Sequence, residues 1–291
     1  MQYIKNQFLQ VGVKSTGAEL CSIRSFKTQQ EYMWDAQPAI WGNHAPVLFP
    51  IVGGLKNGEY LHEGQAYPLP RHGFIRYNTQ VQLRDQTDSS LTYGLSDNHD
   101  TRKVYPFAFD FVVQFRLEDS RLTVRHEVHN RDEKMMYFSL GAHPAFKCPM
   151  HEEEAYSDYY LAFGEVENEH TWLLNSEGLI AEEGPLIMDN TDTLPLRPNM
   201  FDNDALIFKS IRSRSVSLKS HKSPQEVKVS FEGWPYLGIW SKPKAPFVCI
   251  EPWLGIADHA DTDQQLSTKF GILSLEPGQS FEAAYTIDII E

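Results

Sequence analysis

Cysteine is scarce in this chain of 291 residues. Cys21, Cys148 and Cys249 are widely spaced and odd in number, which excludes a disulfide framework and a zinc knuckle and points to a reducing, cytoplasmic setting. Positive charge is also short. Twenty-six Lys and Arg stand against 39 Asp and Glu, a formal net charge of −13. Nucleic acid and anionic membranes are excluded as main partners, because both need a positive surface. No apolar run is long enough to cross a bilayer, and the segment from Met1 to Gln10 lacks the apolar core of a secretion signal. Repeats, low-complexity tracts and linkers are missing too, as are a Gly-x-Ser-x-Gly elbow, a phosphate loop and a dinucleotide fingerprint.

What the chain has is alternation. From Phe107 to Phe115 every odd position is apolar; Leu122, Val124 and Val128 alternate with Thr123, Arg125 and Glu127; Val227, Val229 and Phe231 alternate with Lys228 and Ser230. A period of two marks strands with one face on a core. Phe247-Val248-Cys249-Ile250 is continuously apolar, as expected of a strand covered on both faces, and it is expected to end at Glu251. Glu59–His62 and Gln65–Pro68, separated by Glu63-Gly64, are the two arms of a hairpin. Helix signals are confined to Asn98–Tyr105, stopped by Pro106, and to the acidic stretch His151–Tyr160. One all-β domain over residues 1–291 follows, a sandwich or a jelly roll.

Three stretches set polar groups into this apolar pattern: Pro70-Arg71-His72-Gly73-Phe74-Ile75-Arg76, Leu140-Gly141-Ala142-His143-Pro144-Ala145-Phe146, and Trp240 to Trp253. Glu251 is a carboxylate on the most hydrophobic strand, where charge is seldom buried without a partner or a purpose. Taken alone, it is equally well a strand-end glutamate paired to an arginine. His143 follows two small residues and precedes a proline, which leaves room around an imidazole able to donate a proton near neutral pH; on spacing alone, a structural histidine is the commoner meaning. His72 carries the same two readings, and Gly73 beside it permits close backbone approach or an unusual dihedral. Arg71 and Arg76 suit sugar hydroxyls or a phosphate, or surface ion pairs in so acidic a chain. His126 reads as a satisfied core histidine, His151 and His170 as solvated, and the run Glu152-Glu153-Glu154 as a solvated face. Metal catalysis is disfavoured: no His-x-His pair occurs, and His126 and His129 fall on opposite strand faces.

At these stretches the chain resembles the aldose 1-epimerase, or galactose mutarotase-like, family, in its bacterial sugar-operon branch, with the glucose-6-phosphate 1-epimerases as a sister group. The resemblance runs from Ala45-Pro46-Val47-Leu48-Phe49-Pro50-Ile51-Val52-Gly53 through Arg71-His72-Gly73-Phe74, Gly141-Ala142-His143-Pro144 and Phe201-Asp202-Asn203-Asp204 to Glu251-Pro252-Trp253 and Leu275-Glu276-Pro277-Gly278. It implies a large antiparallel β-sandwich with a site in a cleft on one face. It further implies Glu251 as base, His143 as acid and His72 as a second site histidine. Asp204 is implied as a sugar ligand, with Asp202 competing, and Arg76 as a substrate-holding arginine. Trp253 and Trp240 are candidates for an apolar sugar platform. The implied reaction interconverts the α and β anomers of a hexose or hexose phosphate without metal or cofactor, in a monomer or homodimer. One position departs: Gly54 stands where family members commonly carry an arginine that contacts sugar hydroxyls, so either Lys56 or Arg71 compensates or the choice of sugar differs. The competing class is a non-catalytic carbohydrate-binding or sugar-sensing sandwich, which needs no acid facing a base across the pocket. A glycoside lyase or hydrolase would need two flanking carboxylates, and only Glu251 is a strong candidate.

Overall fold

The structure, a computed structural model, describes residues Met1–Glu291. Two antiparallel sheets dominate. The larger has nine strands, in the spatial order Ile180–Pro195, Tyr159–Leu174, Ser215–Ser220, Glu226–Ser230, Ser280–Ile290, Arg121–Asn130, Phe109–Glu118, Ser90–Ser96 and Gln82–Gln86. The smaller has six: Leu206–Phe208, Tyr236–Trp240, Phe247–Leu254, Leu140–Ala142 and Val47–Leu48, with Ala145–Lys147 paired beside Phe247–Leu254. A three-stranded sheet, Gln2–Lys5, Leu9–Lys14 and Glu19–Ser25, and two short two-stranded ladders complete the chain. Every ladder between these strands is antiparallel. No helix is long and apolar enough to cross a membrane.

The alternation read from the sequence is the alternation of burial. Phe109, Phe111, Val113, Phe115 and Leu117 are buried on one strand, and Leu122, Val124, His126 and Val128 on its neighbour. They meet the inner face of the smaller sheet in one core, where Phe49 stacks on Phe111 at 4.7 Å between ring centroids. Burying one such side chain is worth roughly 1.5–3 kcal/mol, so this shared core is what holds the sheets face to face. The predicted hairpin forms with Glu59 opposite Pro68. The Asn98–Tyr105 signal becomes one helix, His99–Val104, capped by Asn98 accepting from the Asp100 and Thr101 amides while Thr101 Oγ1 accepts from the Asn98 amide.

Other expectations need correction. His151–Tyr160 forms only a single helical turn, Tyr156–Asp158; the acidic run carries no apolar stripe to hold a helix down, and Tyr159 already belongs to the strand that follows. Glu152 and Glu153 are exposed, while Glu154 reaches the Tyr159 hydroxyl. His170 is not in a loop: it lies within the strand Tyr159–Leu174, half-buried, with Nδ1 against the Gly184 carbonyl at 2.8 Å. His126 is a core residue as expected, but its Nδ1 has no partner and burial pulls its pKa down to about 3.

The strand that carries Glu251 shows how the site is positioned. It runs from Phe247 through Pro252 to Leu254, and all eight residues are buried. Glu251 is therefore interior to the strand rather than at its end. Val248, Ile250 and Leu254 face the shared core, whereas Phe247, Cys249 and Trp253 belong to two small clusters on the opposite face. A sheet buried on its inner face and covered by loops on its outer one produces the unbroken apolar run. Glu251 lies on the covered outer face.

Candidate active site

A cavity of about 680 Å³ lies over that outer face. Its wall includes all eight residues singled out from the sequence: Arg71, His72, Arg76, His143, Asp204, Trp240, Glu251 and Trp253.

Strand register brings the central two together. Leu140 and Gly141 pair with Leu254 and Trp253, and Ala145, Phe146 and Lys147 pair with Cys249, Val248 and Phe247. The ladder is interrupted between these blocks, where Pro144 and Pro252 have no N–H to donate. The register is the same on both sides of the gap, and carried across it sets His143 opposite Glu251. The His143 Nδ1 to Glu251 Oε1 distance is 3.3 Å. These groups are therefore side by side on the cavity floor, not on opposite walls. Nδ1 makes no full hydrogen bond.

Burial drives their electrostatics. Glu251 is 2% exposed, and desolvation holds its pKa well above the ordinary carboxylate range; Arg71 and the Trp253 indole oppose this, and Asp204 reinforces it. Desolvation brings His143 down to about 3, against a contribution from its own backbone, with Arg76 and Arg71 lowering it further. Both shifts have one physical cause: burial penalises charge on either group. Both groups are thereby held toward their uncharged forms.

His72 is locked by the loop that carries it. Its backbone N–H donates to the Gly53 carbonyl at 2.9 Å, and Gly53 N–H donates to His72 Nδ1 at 3.1 Å. An accepting Nδ1 places the ring proton on Nε2. Burial, then the neighbouring His143 and the two arginines, keep this ring's pKa well below its usual value, so it stays neutral. The backbone here is left-handed at both His72 and Gly73, and a Cβ on Gly73 would lie 2.1 Å from the Phe49 carbonyl oxygen. Only glycine permits that approach, so both possibilities read for Gly73 are realised.

The indole of Trp253 lies across the sheet. A Cβ on Gly238 would fall 2.4 Å from its ring, and one on Gly141 would fall 3.0 Å from it. Gly238 pairs with Glu251 on one neighbouring strand, and Gly141 pairs with Trp253 on the other. Two small residues thus open the space that lets the indole form part of the floor.

Trp41, missed in the sequence, completes the surroundings of His143. Its ring stacks on the imidazole at 5.0 Å and 26°, while Trp240 meets the same imidazole edge-on at 5.7 Å. Trp41 is held through Phe247, stacked at 5.5 Å, and through its carbonyl, which accepts from Trp34 Nε1 at 2.9 Å. Its surroundings are a turn-rich loop with no periodicity, and nothing in the sequence tied that loop to His143. The tip of the long hairpin, Leu174 to Ser176, also lines the cavity. It is drawn over the smaller sheet by Ile180 N–H donating to the Asp258 carbonyl.

The space at position 54 explains how Gly54 is accommodated. Gly54 is buried outside the cavity wall, and a Cβ there would face the Gly178 carbonyl at 3.4 Å. The hairpin tip fills the room that a longer side chain would need. Lys56 is turned away, its Nζ bonded to the Thr262 carbonyl at 3.2 Å. Arg71 lines the cavity beside Gly178. Asp202 and Asp204 both line it as well, but only Asp204 acts on the Glu251 ionisation; it is held left-handed, with Oδ1 accepting from Ala205 N–H at 2.8 Å.

The sequence model described as Aldose 1-epimerase matches residues 2–286. The plasmid form of protein LacX from Lactococcus lactis subsp. lactis is 33% identical over 301 residues, covering 99% of this chain and 98% of that protein. Among solved structures, a galactose mutarotase related enzyme from Lactobacillus acidophilus is 38% identical with a TM-score of 0.94, over 100% of this chain and 97% of the other. A galactose mutarotase-like protein from Lactobacillus casei is 29% identical with a TM-score of 0.93, over the whole of both chains.

Proposed function

The chain belongs to the aldose 1-epimerase family, a family of isomerases acting on sugars, and on that premise we propose that Glu251 and His143 interconvert the α and β anomers of a hexose 6-phosphate or the parent hexose. The observation that carries this reading is the 3.3 Å separation of the carboxylate and the imidazole on the floor of a sugar-sized cavity.

The geometry suits a hemiacetal. Its anomeric hydroxyl and its ring oxygen are attached to the same carbon, so the base and the acid that serve them belong next to each other. Glu251 removes the hydroxyl proton as His143 protonates the ring oxygen. The ring opens, the aldehyde turns about C1–C2, and closure on the other face reverses both transfers. A carboxylate with an imidazolium is the starting state; a carboxylic acid with a neutral imidazole is the open-chain state. Both hold the same number of protons, so the reaction moves protons within the site and needs none from solvent. Burial of both groups favours the neutral arrangement. Arg71 and the indole of Trp253 pull toward the ionised one, and the Trp41 face stacked on His143 stabilises the imidazolium. His72, neutral with its proton on Nε2, is a donor for the ring oxygen or the charge developing there. Trp253 and Trp240 supply the apolar wall against a sugar face, and Asp204 takes a sugar hydroxyl.

The preference for a phosphorylated sugar rests on two cations. Arg71 and Arg76 line the cavity, and neither pairs with a carboxylate, although acids outnumber bases by 13 in this chain. Arg76 lies over the Tyr77 ring at 4.4 Å, and its Nε is buried without a partner. Arg76 also donates to the Tyr77 hydroxyl, and guanidinium groups that face a cavity without a carboxylate partner suit a bidentate anion. The test is anomer exchange followed by NMR for glucose, galactose and their 6-phosphates. The expected result is exchange faster than in buffer for at least one pair, with higher kcat/KM for the phosphate, and loss of about a hundredfold to ten-thousandfold in Glu251→Gln. Exchange by Glu251→Gln equal to wild type on every sugar would leave only a binding role.

A further inference from the structure

Cys249 has no part in the chemistry above, yet it lies two residues before Glu251 on the same strand face and is fully buried. Its Sγ, one ring nitrogen of His143 and a carboxylate oxygen of Glu251 all lie within 4.8 Å of one another. We propose that these three side chains form a latent site for a soft divalent cation, Zn²⁺ in particular, and that occupation of this site switches the enzyme off.

Chemistry and geometry agree on the ion. One thiolate, one imidazole and one carboxylate, with a fourth position open to the cavity, is a donor set that zinc accepts. At zinc's usual bond lengths of about 2.0–2.3 Å, neighbouring ligands of a tetrahedral ion stand roughly 3.5 Å apart. The His143–Glu251 separation of 3.3 Å already meets that figure, and Cys249 Sγ lies within 4.8 Å of both. His143 Nδ1, in a residue only 8% exposed, has no hydrogen-bond partner to give up. The ion replaces the thiol proton and the carboxyl proton, so a dication meets a thiolate and a carboxylate and the buried site remains uncharged. Hard cations gain little: Mg²⁺ and Ca²⁺ seek six or more oxygens, and this corner supplies one carboxylate, while its sulfur selects for softer metals.

The inhibitory consequence rests on the epimerase reading, since it follows from occupying the lone pairs of the proposed acid and base; the metal site itself does not. Because the open coordination position faces the cavity, sugar and zinc compete.

The experiment compares the full-length protein with Cys249→Ala and Cys249→Ser, measuring anomer exchange in the presence of ZnCl₂ or MgCl₂ and recording absorption spectra on titration with Co²⁺. Expected are inhibition of the wild type by zinc but not magnesium, and variants as active as wild type without metal. Their zinc sensitivity falls at least about tenfold, the lower end of what losing even an outer-sphere partner costs. Cobalt gives a thiolate charge-transfer band in the wild type and none in the variants. Zinc inhibiting the variants as strongly as the wild type overturns the proposal, as does a wild type indifferent to zinc. If the variants fail to fold, the wild-type cobalt spectrum decides alone: no thiolate band means no such site. If no sugar is turned over at all, the same band still tests the metal site while the epimerase reading falls.

Discussion

Two buried pairs of an acid and a base lie close together in this molecule, and they are built differently. Beneath one wall of the cavity, Lys269 Nζ bonds to Asp258 Oδ1 at 2.8 Å and to the Ile256 carbonyl at 2.7 Å, while Asp258 Oδ2 accepts from Lys56 N–H at 3.0 Å. Both side chains are 3% exposed. Burial alone lowers the Lys269 pKa, and the attraction and hydrogen bond of Asp258 work against that. Glu251 and His143 are also buried, yet their contact is 3.3 Å and His143 Nδ1 lacks a full hydrogen bond. Two hydrogen bonds, one of them to a carboxylate, hold the charge on Lys269. On the proposed function, the looser contact is what lets a proton pass between Glu251 and His143. The first pair ties the loop at Ile256 and Ala257 to the loop at Gly54 and Lys56; the second faces the cavity.

Breaking each pair should therefore have a different outcome. The largest effect is expected from Glu251→Gln: anomer exchange falls by about two to four orders of magnitude while the fold survives. The same variant tests the electrostatics through stability. Because Glu251 has a raised pKa in the folded state, the folded protein binds more protons than the unfolded chain as pH rises above 4.5, the ordinary glutamate value. Wild type then loses stability relative to the variant up to the folded-state pKa. Thermal melts across pH should show the variant gaining on wild type as pH rises from 4.5 and no further gain below it. A gap independent of pH would mean that Glu251 is not desolvated.

Lys269→Met is expected to do the reverse. It leaves Asp258 as an uncompensated buried charge, which costs about 3–5 kcal/mol of stability, read as an early urea midpoint. Its residual activity should fall mainly through KM, as the Ile256–Ala257 wall loosens. Gly238→Ala sharpens the comparison on the floor itself. The added methyl meets the Trp253 ring, and overpacking of this kind costs about 1–3 kcal/mol. With the indole lifted into the cavity, KM should rise more than kcat falls. The smallest effect is expected from Trp41→Leu, which removes the aromatic face over His143. A cation–π contact is worth about 0.5–2 kcal/mol, so kcat should drop by up to about thirtyfold with KM nearly unchanged, and Trp41→Phe should recover part of it. Loss of KM alone would make Trp41 a sugar contact rather than a support of the acid.

Much of this was legible in the chain. The strands Phe109–Glu118 and Arg121–Asn130, the Glu59–Pro68 hairpin and the helix capped by Asn98 all announce themselves through local spacing. Arg71, His72, Arg76, His143 and Glu251 were marked out as polar groups in apolar surroundings, while Asp204 came only from the family resemblance, which also assigned the roles. Trp41 and the Leu174–Ser176 tip were not legible, because each enters the site from a loop or a hairpin end whose local pattern carries no sign of where it is going. The helix expected at His151–Tyr160 failed for a related reason: acidic residues without an apolar stripe have nothing to pack against.

The division follows from the range of the forces. Alternation, caps and turns act over a few residues, so the amino-acid order alone determined that this chain makes strands and which face of each is apolar. Adjacency across strands is set by register, and register is chosen only when whole sheets bury their faces together. That choice put His143 beside Glu251, laid the Trp253 indole over Gly238 and Gly141, and swung the hairpin tip into the room beside Gly54. Those relations are contacts between segments far apart in the chain, and only the packed sandwich brings them within reach.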